Sequence, residues 1–280
     1  MFKSWLPITK IKIFGASILY KVTHLFFRKN KQIITRNGIK YELDLTEGME
    51  LSLFLFGNFQ SHITKNSLLK IDEKYIILDV GANVGIMTLP FAKQASQGQV
   101  YAFEPTHYAF SKLERNVELN PDMAKRIKFY NVFISEYSEE HADIIAYSSW
   151  KVNGHRSDSD HPVHLGTPMD TTGISSISIN DFVENNSISN INFIKIDTDG
   201  HELEVLKGGL KVIEKFRPII IFEIGLYVME EKNIIFDTYY ELFKSMNYKL
   251  YDTKTNVKIN LNNYKKYIPK NGSTDLIAIP

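Results

Sequence analysis

Four carboxylates each stand directly after an apolar run: Asp79 after residues 75–78, Glu104 after 99–103, Asp197 after 193–196 and Glu223 after 219–222. Such runs have the form of strands buried on both faces of a parallel sheet. In an open parallel sheet, ligands bind beyond the carboxyl ends of the strands, where strand order reverses, so polar side chains at those ends are the first candidates for chemistry. The first run continues into Asp79-Val80-Gly81-Ala82-Asn83-Val84-Gly85, a glycine-rich turn opening a helix. Gly81 and Gly85 let the backbone bend and approach a ligand closely. Asn83 stands where a dinucleotide enzyme carries its second glycine, so the turn is not G-x-G-x-x-G and a ligand without phosphates is favoured over a nicotinamide cofactor. Glu104, nineteen positions beyond Gly85, ends the second strand, where a carboxylate can accept hydrogen bonds from both ribose hydroxyls. An adenosine lacking a 2′-phosphate fits that pair.

The second half carries the acid–base candidates. Asp197 is the first choice for contact with an acceptor, with Asp199, His201, Glu202 and Glu223 as rivals. A plainer reading makes Glu202 a first-turn acid favoured by the helix dipole and leaves His201 facing solvent. Asp197, Asp199 and Glu223 could also hold magnesium, which lowers the pKa of a bound hydroxyl, although nothing in their spacing demands a metal. His155, His161 and His164, with Asp158 and Asp160, are too irregularly spaced for a zinc site. The polar stretch 148–176 that carries them shows no sustained period and reads as a long loop closing over the acceptor, with His155 and Arg156 touching it.

The elements that must position these residues alternate strand and helix through two thirds of the chain. The pattern predicts an α/β fold with a doubly wound, mostly parallel sheet, an antiparallel closing strand and a helical amino-terminal extension. Strands are expected at 75–80, 99–104, 127–132, 142–147, 191–197, 219–223, 248–251 and 275–279. One helix should carry Leu203, Leu206, Leu210 and Ile213 on one face. Upstream, the Asn37-Gly38 turn predicts a hairpin over 32–45, and 47–69 reads as a helix interrupted at Gly57. This divides the chain into an amino-terminal arm, hairpin and helix over 1–70 and a cofactor-binding domain over 71–280.

Lys and Arg number 33 against 32 Asp and Glu, and there is no cysteine. Disulfides, thiolate nucleophiles and Cys-type zinc sites are excluded, and a reducing cytoplasm is the expected setting. Nothing in the overall charge points to nucleic acid. The balance hides an asymmetry, because Lys3, Lys10, Lys12, Lys21, Arg28, Lys29 and Lys31 all precede the first acidic residue, Glu42. Apolar residues recur among them at helical spacing. Lysines break every run that could span a bilayer, and no cleavage site follows residues 13–20, so neither a transmembrane helix nor a secretory signal is expected. Residues 1–31 read either as a helix lying peripherally on an anionic membrane, at its inner face in a cytoplasmic protein, or as a helix packed on the core.

Taken in order, these segments resemble the FkbM-type methyltransferases, within the class I, Rossmann-like, S-adenosylmethionine-dependent group. Asp79 to Gly85 resembles their first cofactor motif, Ala102-Phe103-Glu104-Pro105 their second, and residues 113–120 the L-x-x-N-x-x-x-N helix after it. Residues 179–182 resemble the segment before their fourth strand. Residues 193–202 (Phe-Ile-Lys-Ile-Asp-Thr-Asp-Gly-His-Glu) resemble their K-I-D-x-E-G-x-E signature, and residues 206–209 and 217–223 continue the likeness. Two positions depart: Asp199 stands where the family usually has glutamate, and Gln60 takes the place of an upstream glutamate. The resemblance implies S-adenosyl-L-methionine as cofactor. Gly81, Asn83 and Gly85 would line its methionine and ribose, Glu104 would hold the ribose, Phe103 lies in the second motif, Val132 and Phe133 would border the adenine, and Asp79 would reach the methionine amino group. It further implies O-methylation of a hydroxyl on a sugar, glycan or related small molecule. A nucleic-acid acceptor is not expected, because the core lacks a basic face and residues 197–200 are not an Asn/Asp-Pro-Pro-type tetrapeptide. A non-catalytic adenosine-binding or membrane-associated protein, and a protein or N-methyltransferase, are the alternatives.

Overall fold

The structure is a computed structural model that describes residues 8–140, 144–147, 151, 152, 158 and 166–280, with residues 8–14 described as backbone only. Its centre is an eight-stranded sheet: β1 (Ile76–Val80), β2 (Gln99–Phe103), β3 (Ile127–Tyr130), β4 (Phe193–Ile196), β5 (Ile219–Gly225), β6 (Lys249–Asp252), β7 (Lys258–Ile259) and β8 (Ser273–Ile279). The strand order is β7-β6-β8-β5-β4-β1-β2-β3. β5, β4, β1, β2 and β3 run parallel, and β8 inserts antiparallel between β5 and β6. Strand order therefore reverses between β1 and β4, which places the ligand crevice beyond Val80 and Ile196.

The period-2 alternation of the strands separates two cores. Leu78, Val80, Phe103, Ile194, Ile196, Ile220 and Phe222 pack on one face with helices α3 (Ile179–Asn185), α4 (Glu202–Gly208), α5 (Leu210–Phe216) and α6 (Phe236–Ser245). Ile77, Val100, Ala102, Phe193, Ile221 and Ile277 pack on the other with α1 (Thr88–Gln94) and α2 (His107–Glu118). That second face also carries the polar residues of the strands. Lys195 lies opposite Asp79 in the β4–β1 register, and Glu223 opposite Asp275 in the β5–β8 register. The hairpin of Lys31–Arg36 and Ile39–Asp44 and the helix Gly48–Phe56 cover this face, with Ile39, Tyr41, Leu43 and Leu51 buried in the same cluster as Ile77 and Phe193.

The expected elements form, with shifts at their ends that have local causes. The helix begun at Gly48 stops at Gly57, whose φ of 71° caps it. Only Ser61–Thr64 resumes helical geometry, because Asn66 turns to donate to Thr253 O at 2.8 Å and to accept from Leu68 N at 2.8 Å. β3 ends at Tyr130, two residues before the expected boundary, where Asn131 donates to the carbonyls of Glu104 and Pro105, each at 2.8 Å. The helix expected to join Leu203 to Ile213 breaks into α4 and α5 at Gly208-Gly209. A Cβ on Gly208 would lie 2.1 Å from Ser135 O, so the backbones touch there. Of the strand expected at 142–147, Ala146–Tyr147 pairs with Pro168–Met169.

Candidate functional site

The crevice is organised around a buried cation. Lys195 is only 2% exposed in the middle of β4. Its ammonium lies 3.4 Å from Asp79 Oδ1 and 3.3 Å from Asp197 Oδ2, and donates to Gly81 O at 3.2 Å. Burial disfavours its charge, but Asp197 and then Asp79 outweigh that and leave its pKa raised. Lys195 is therefore protonated at neutral pH and ties the ends of β1 and β4 together. Asp79 is fully buried and also accepts from Thr88 Oγ1 at 2.6 Å. It is the counter-ion beneath Lys195 and forms no part of the cleft walls described below. In the sequence Lys195 stands out only as a cation inside the apolar run of residues 193–196.

Gly81 follows β1 directly with φ of 75°, and a Cβ there would fall 1.8 Å from Asp197 O. The glycine thus serves first to let β1 and β4 close on each other. Asn83 adopts the left-handed conformation (φ 49°) with Oδ1 accepting from Val84 N at 2.9 Å, which explains how asparagine replaces a glycine there. Gly85 (φ 85°) faces Leu113 of α2, where a Cβ would meet Cδ1 at 2.8 Å; it packs the helix and is not a wall residue.

One cleft opens beside this turn, with an empty volume of 580 Å³ including its open mouth. Phe103, Val132, Phe133, Ile144 and Ile145 give it apolar walls, and Glu104 supplies a carboxylate. Glu104 is 5% exposed. Its Oε1 accepts from Thr106 N at 2.9 Å and Thr106 Oγ1 at 2.6 Å, and its Oε2 from Asn83 N at 3.0 Å. Two bonds fill Oε1, while Oε2 keeps one acceptor position. Burial raises its pKa, opposed by the Thr106 and Asn83 hydrogen bonds and by Lys195. An apolar slot lined by a carboxylate with a free acceptor position and by a bare glycine offers apolar walls to a base and an acceptor to a ribose hydroxyl, so these residues fit the cofactor that the resemblance implies.

A second, wider cleft of 2260 Å³, again including open solvent, shares Gly81, Asn83, Asp197 and Asp199 with the first. Glu223, Lys195, Tyr227, Lys254 and Tyr267 line it, together with Gly48, Met49 and Ser52 of the amino-terminal helix. Asp197 accepts from Gln60 Nε2 at 3.3 Å. Asp199, strained at φ 50°, is exposed at the cleft. Desolvation by the surrounding protein, then Asp197, Glu202 and Glu104, holds its pKa well above the usual carboxylate range. Glu223 is raised in the same way, by enclosure and then by Asp197 and Asp199, and accepts from Ser273 Oγ. The structure thus brings Asp197, Asp199 and Glu223 to one cavity. Glu202, 2% exposed, instead turns inward: its Oε1 accepts from Thr198 N, Thr198 Oγ1 and Gly200 N at 2.9, 3.0 and 3.1 Å, pinning the loop that aims Asp197 and Asp199. His201 borders the first cleft with Nδ1 3.2 Å from Lys232 Nζ, and burial and then Lys232 keep its pKa lowered. Among the described residues no group of three or more histidines or carboxylates is arranged to hold a metal ion. His155 and Arg156 lie outside the described residues.

Comparison with known proteins is consistent with this geometry. The model of the methyltransferase FkbM domain matches residues 79–250. Methyltransferase 1 of Beauveria bassiana is 26% identical over 147 residues, covering 49% of this chain and 59% of that protein. The hexuronic acid methyltransferase AglP of Haloferax volcanii is 27% identical over 151 residues, 54% of this chain and 56% of that protein. A tRNA wybutosine-synthesizing protein 2 homolog of Bos taurus is 37% identical over 84 residues, 30% of this chain and 18% of that protein. The matches to the first two thus span little more than half of each relative.

Proposed function

The chain belongs to the FkbM methyltransferase family, and from that we propose that it transfers the methyl group of S-adenosylmethionine to a hydroxyl of a sugar, a glycan or a related small molecule. The observation that carries the reading is the junction of the two clefts. The narrow apolar slot ending at Glu104 and the wide polar cleft meet at Gly81, Asp197 and Asp199, at the reversal point of the sheet. When bound, the cofactor would supply an electrophilic methyl on a sulfonium, open to attack by an acceptor oxygen with the S-adenosylhomocysteine thioether as leaving group.

The protein's own groups account for the rest. Phe103, Val132 and Phe133 would enclose the adenine, and the free acceptor position of Glu104 Oε2 would orient the ribose. The acidic junction favours a cationic sulfonium electrostatically. Asp199 takes the acceptor proton: a carboxylate whose pKa is held above the ordinary range is a stronger base than an ordinary one. Lys195 holds Asp197 beside it, and Glu202 fixes the loop between them. The name of the Haloferax relative supports a carbohydrate acceptor, and the name of the bovine relative makes tRNA the acceptor to test against it. The test is transfer of radiolabelled methyl from S-adenosylmethionine to neutral sugars, uronic acids, tRNA and a protein mixture, with Asp199→Asn in parallel. Label in a carbohydrate hydroxyl that the substitution removes is the expected result. Label in tRNA or protein instead would overturn the acceptor class.

A further inference from the structure

The helix Ile8–Phe26 presents two apolar faces where its side chains are described, and the protein covers only one. Ala16 and Tyr20 pack against the buried cluster under the hairpin, Thr23 is buried, and Phe27 just beyond sets its ring edge-on against Phe54 at 5.2 Å. These positions, spaced by three and four residues, form the inner stripe. Ile18, Leu19, Val22, Leu25 and Phe26 form a second stripe at the same spacing and lie open, Leu25 and Phe26 each 78% exposed. A contiguous apolar patch of this kind on a protein surface marks an interaction site. The charge around it selects the partner. Nine Lys and Arg and no Asp or Glu precede Glu42, and Lys21, Arg28, Lys29 and Lys31 are exposed within or directly after the helix.

We infer that this face docks on an anionic lipid surface, with the second stripe sunk into the interface and the lysines and arginines on the headgroups. An amphipathic helix with a basic surround binds in that manner, lying in the membrane plane. The binding is peripheral, since no helix among the described residues is long and apolar enough to cross a membrane. Two copies meeting through the same face would bring both sets of nine cations together, which disfavours self-association as the occupant. The helix also packs on Gly48–Phe56, whose Gly48, Met49 and Ser52 line the wide cleft, so docking would act on the element that borders the acceptor.

The test is flotation of the full chain with vesicles of phosphatidylcholine alone and of phosphatidylcholine with phosphatidylglycerol. It is repeated for Leu25→Asp/Phe26→Asp and for Lys21→Glu/Lys29→Glu, with S-adenosylmethionine binding measured on each variant as the check on folding. The expected result is binding to the anionic vesicles only, falling with added salt. The apolar pair should weaken it by about tenfold or more, the order for one large apolar side chain, and the charge-reversed pair should weaken it likewise, with cofactor affinity unchanged in both. No vesicle binding by the wild type overturns the inference, as does vesicle binding that neither variant weakens. A concentration-dependent dimer that the apolar pair abolishes, without lipid binding, would give this face to a second copy instead.

Discussion

Replacing Lys195 by methionine tests whether the buried cation organises the crevice. The substitution keeps the length and apolar stem of the side chain but leaves Asp79, fully buried, without its cation and removes the donor to Gly81 O. Removing one partner of a buried pair costs about 3–5 kcal/mol, because the remaining charge is uncompensated. With about 2–4 °C of melting temperature per kcal/mol for a domain of this size class, the fall should be about 6–20 °C. The assay is thermal unfolding followed by circular dichroism at low and high salt. The shift should persist at high salt, since buried pairs are screened much less than surface pairs. Adding Asp79→Asn to Lys195→Met should recover part of the loss, with a coupling of about 1–3 kcal/mol. A Lys195→Met melting temperature within about 2 °C of wild type, or strict additivity in the double variant, would refute the reasoning.

Other consequences follow from the same geometry. Gly81→Ala should cost more than about 2 kcal/mol, because a Cβ 1.8 Å from Asp197 O must push β1 and β4 apart in addition to the left-handed φ penalty; a melting temperature like that of wild type would contradict the close approach. Asp199, Glu223 and Glu104 all have folded-state pKa values above their unfolded ones. Their contribution to stability is therefore full below the unfolded carboxylate range and is lost as pH rises through the raised values. Glu50, pushed up to about 7 by burial against the opposing pull of Lys112, adds to that loss between 4.5 and about 7. Asp199→Asn should raise the melting temperature of the cofactor-free protein at neutral pH and flatten its pH slope, and an unchanged slope in a pH series would show that Asp199 is not the strained group. Glu202→Gln keeps the acceptor oxygen that pins Thr198 and Gly200, so it should retain most transfer activity, whereas Glu202→Ala frees the loop and should lower it about tenfold or more, the order for unmade buried hydrogen bonds; equal loss in both would instead point to a charge role for Glu202.

The parts of this architecture that depend on local pattern were readable from the chain. Continuous apolar runs gave β1, β2, β4 and β5, and the residues ending them located the crevice, because a parallel strand carries its functional group at its carboxyl end. The glycine turn was equally plain, although the tasks of its glycines differ: Gly81 admits a neighbouring strand and Gly85 a leucine of α2. What the sequence did not disclose depends on register between distant segments. Lys195 acquires meaning only when Asp79 lies opposite it in the sheet. Gln60 reaches Asp197 across 137 residues and His62 reaches Asp275, 2.7 Å away, across 213, contacts that exist because the amino-terminal segment covers the polar face of the sheet. In the sequence Glu202 reads either as an acid–base candidate or as a first-turn helix acid, and the fold of its loop is what turns the carboxylate inward. The outer stripe of the first helix was visible as periodicity, but which face would remain open required the packing of Tyr20 and Phe27.

The central claim is that the slot beside Glu104 holds S-adenosylmethionine. Calorimetric titration of S-adenosylmethionine and S-adenosylhomocysteine into the wild-type protein and Glu104→Ala tests it most directly. Saturable binding of both ligands is expected, weakened about tenfold or more by the substitution, the order for losing hydrogen bonds to a charged group. Absence of binding by either ligand, or equal affinity in Glu104→Ala, would contradict the account.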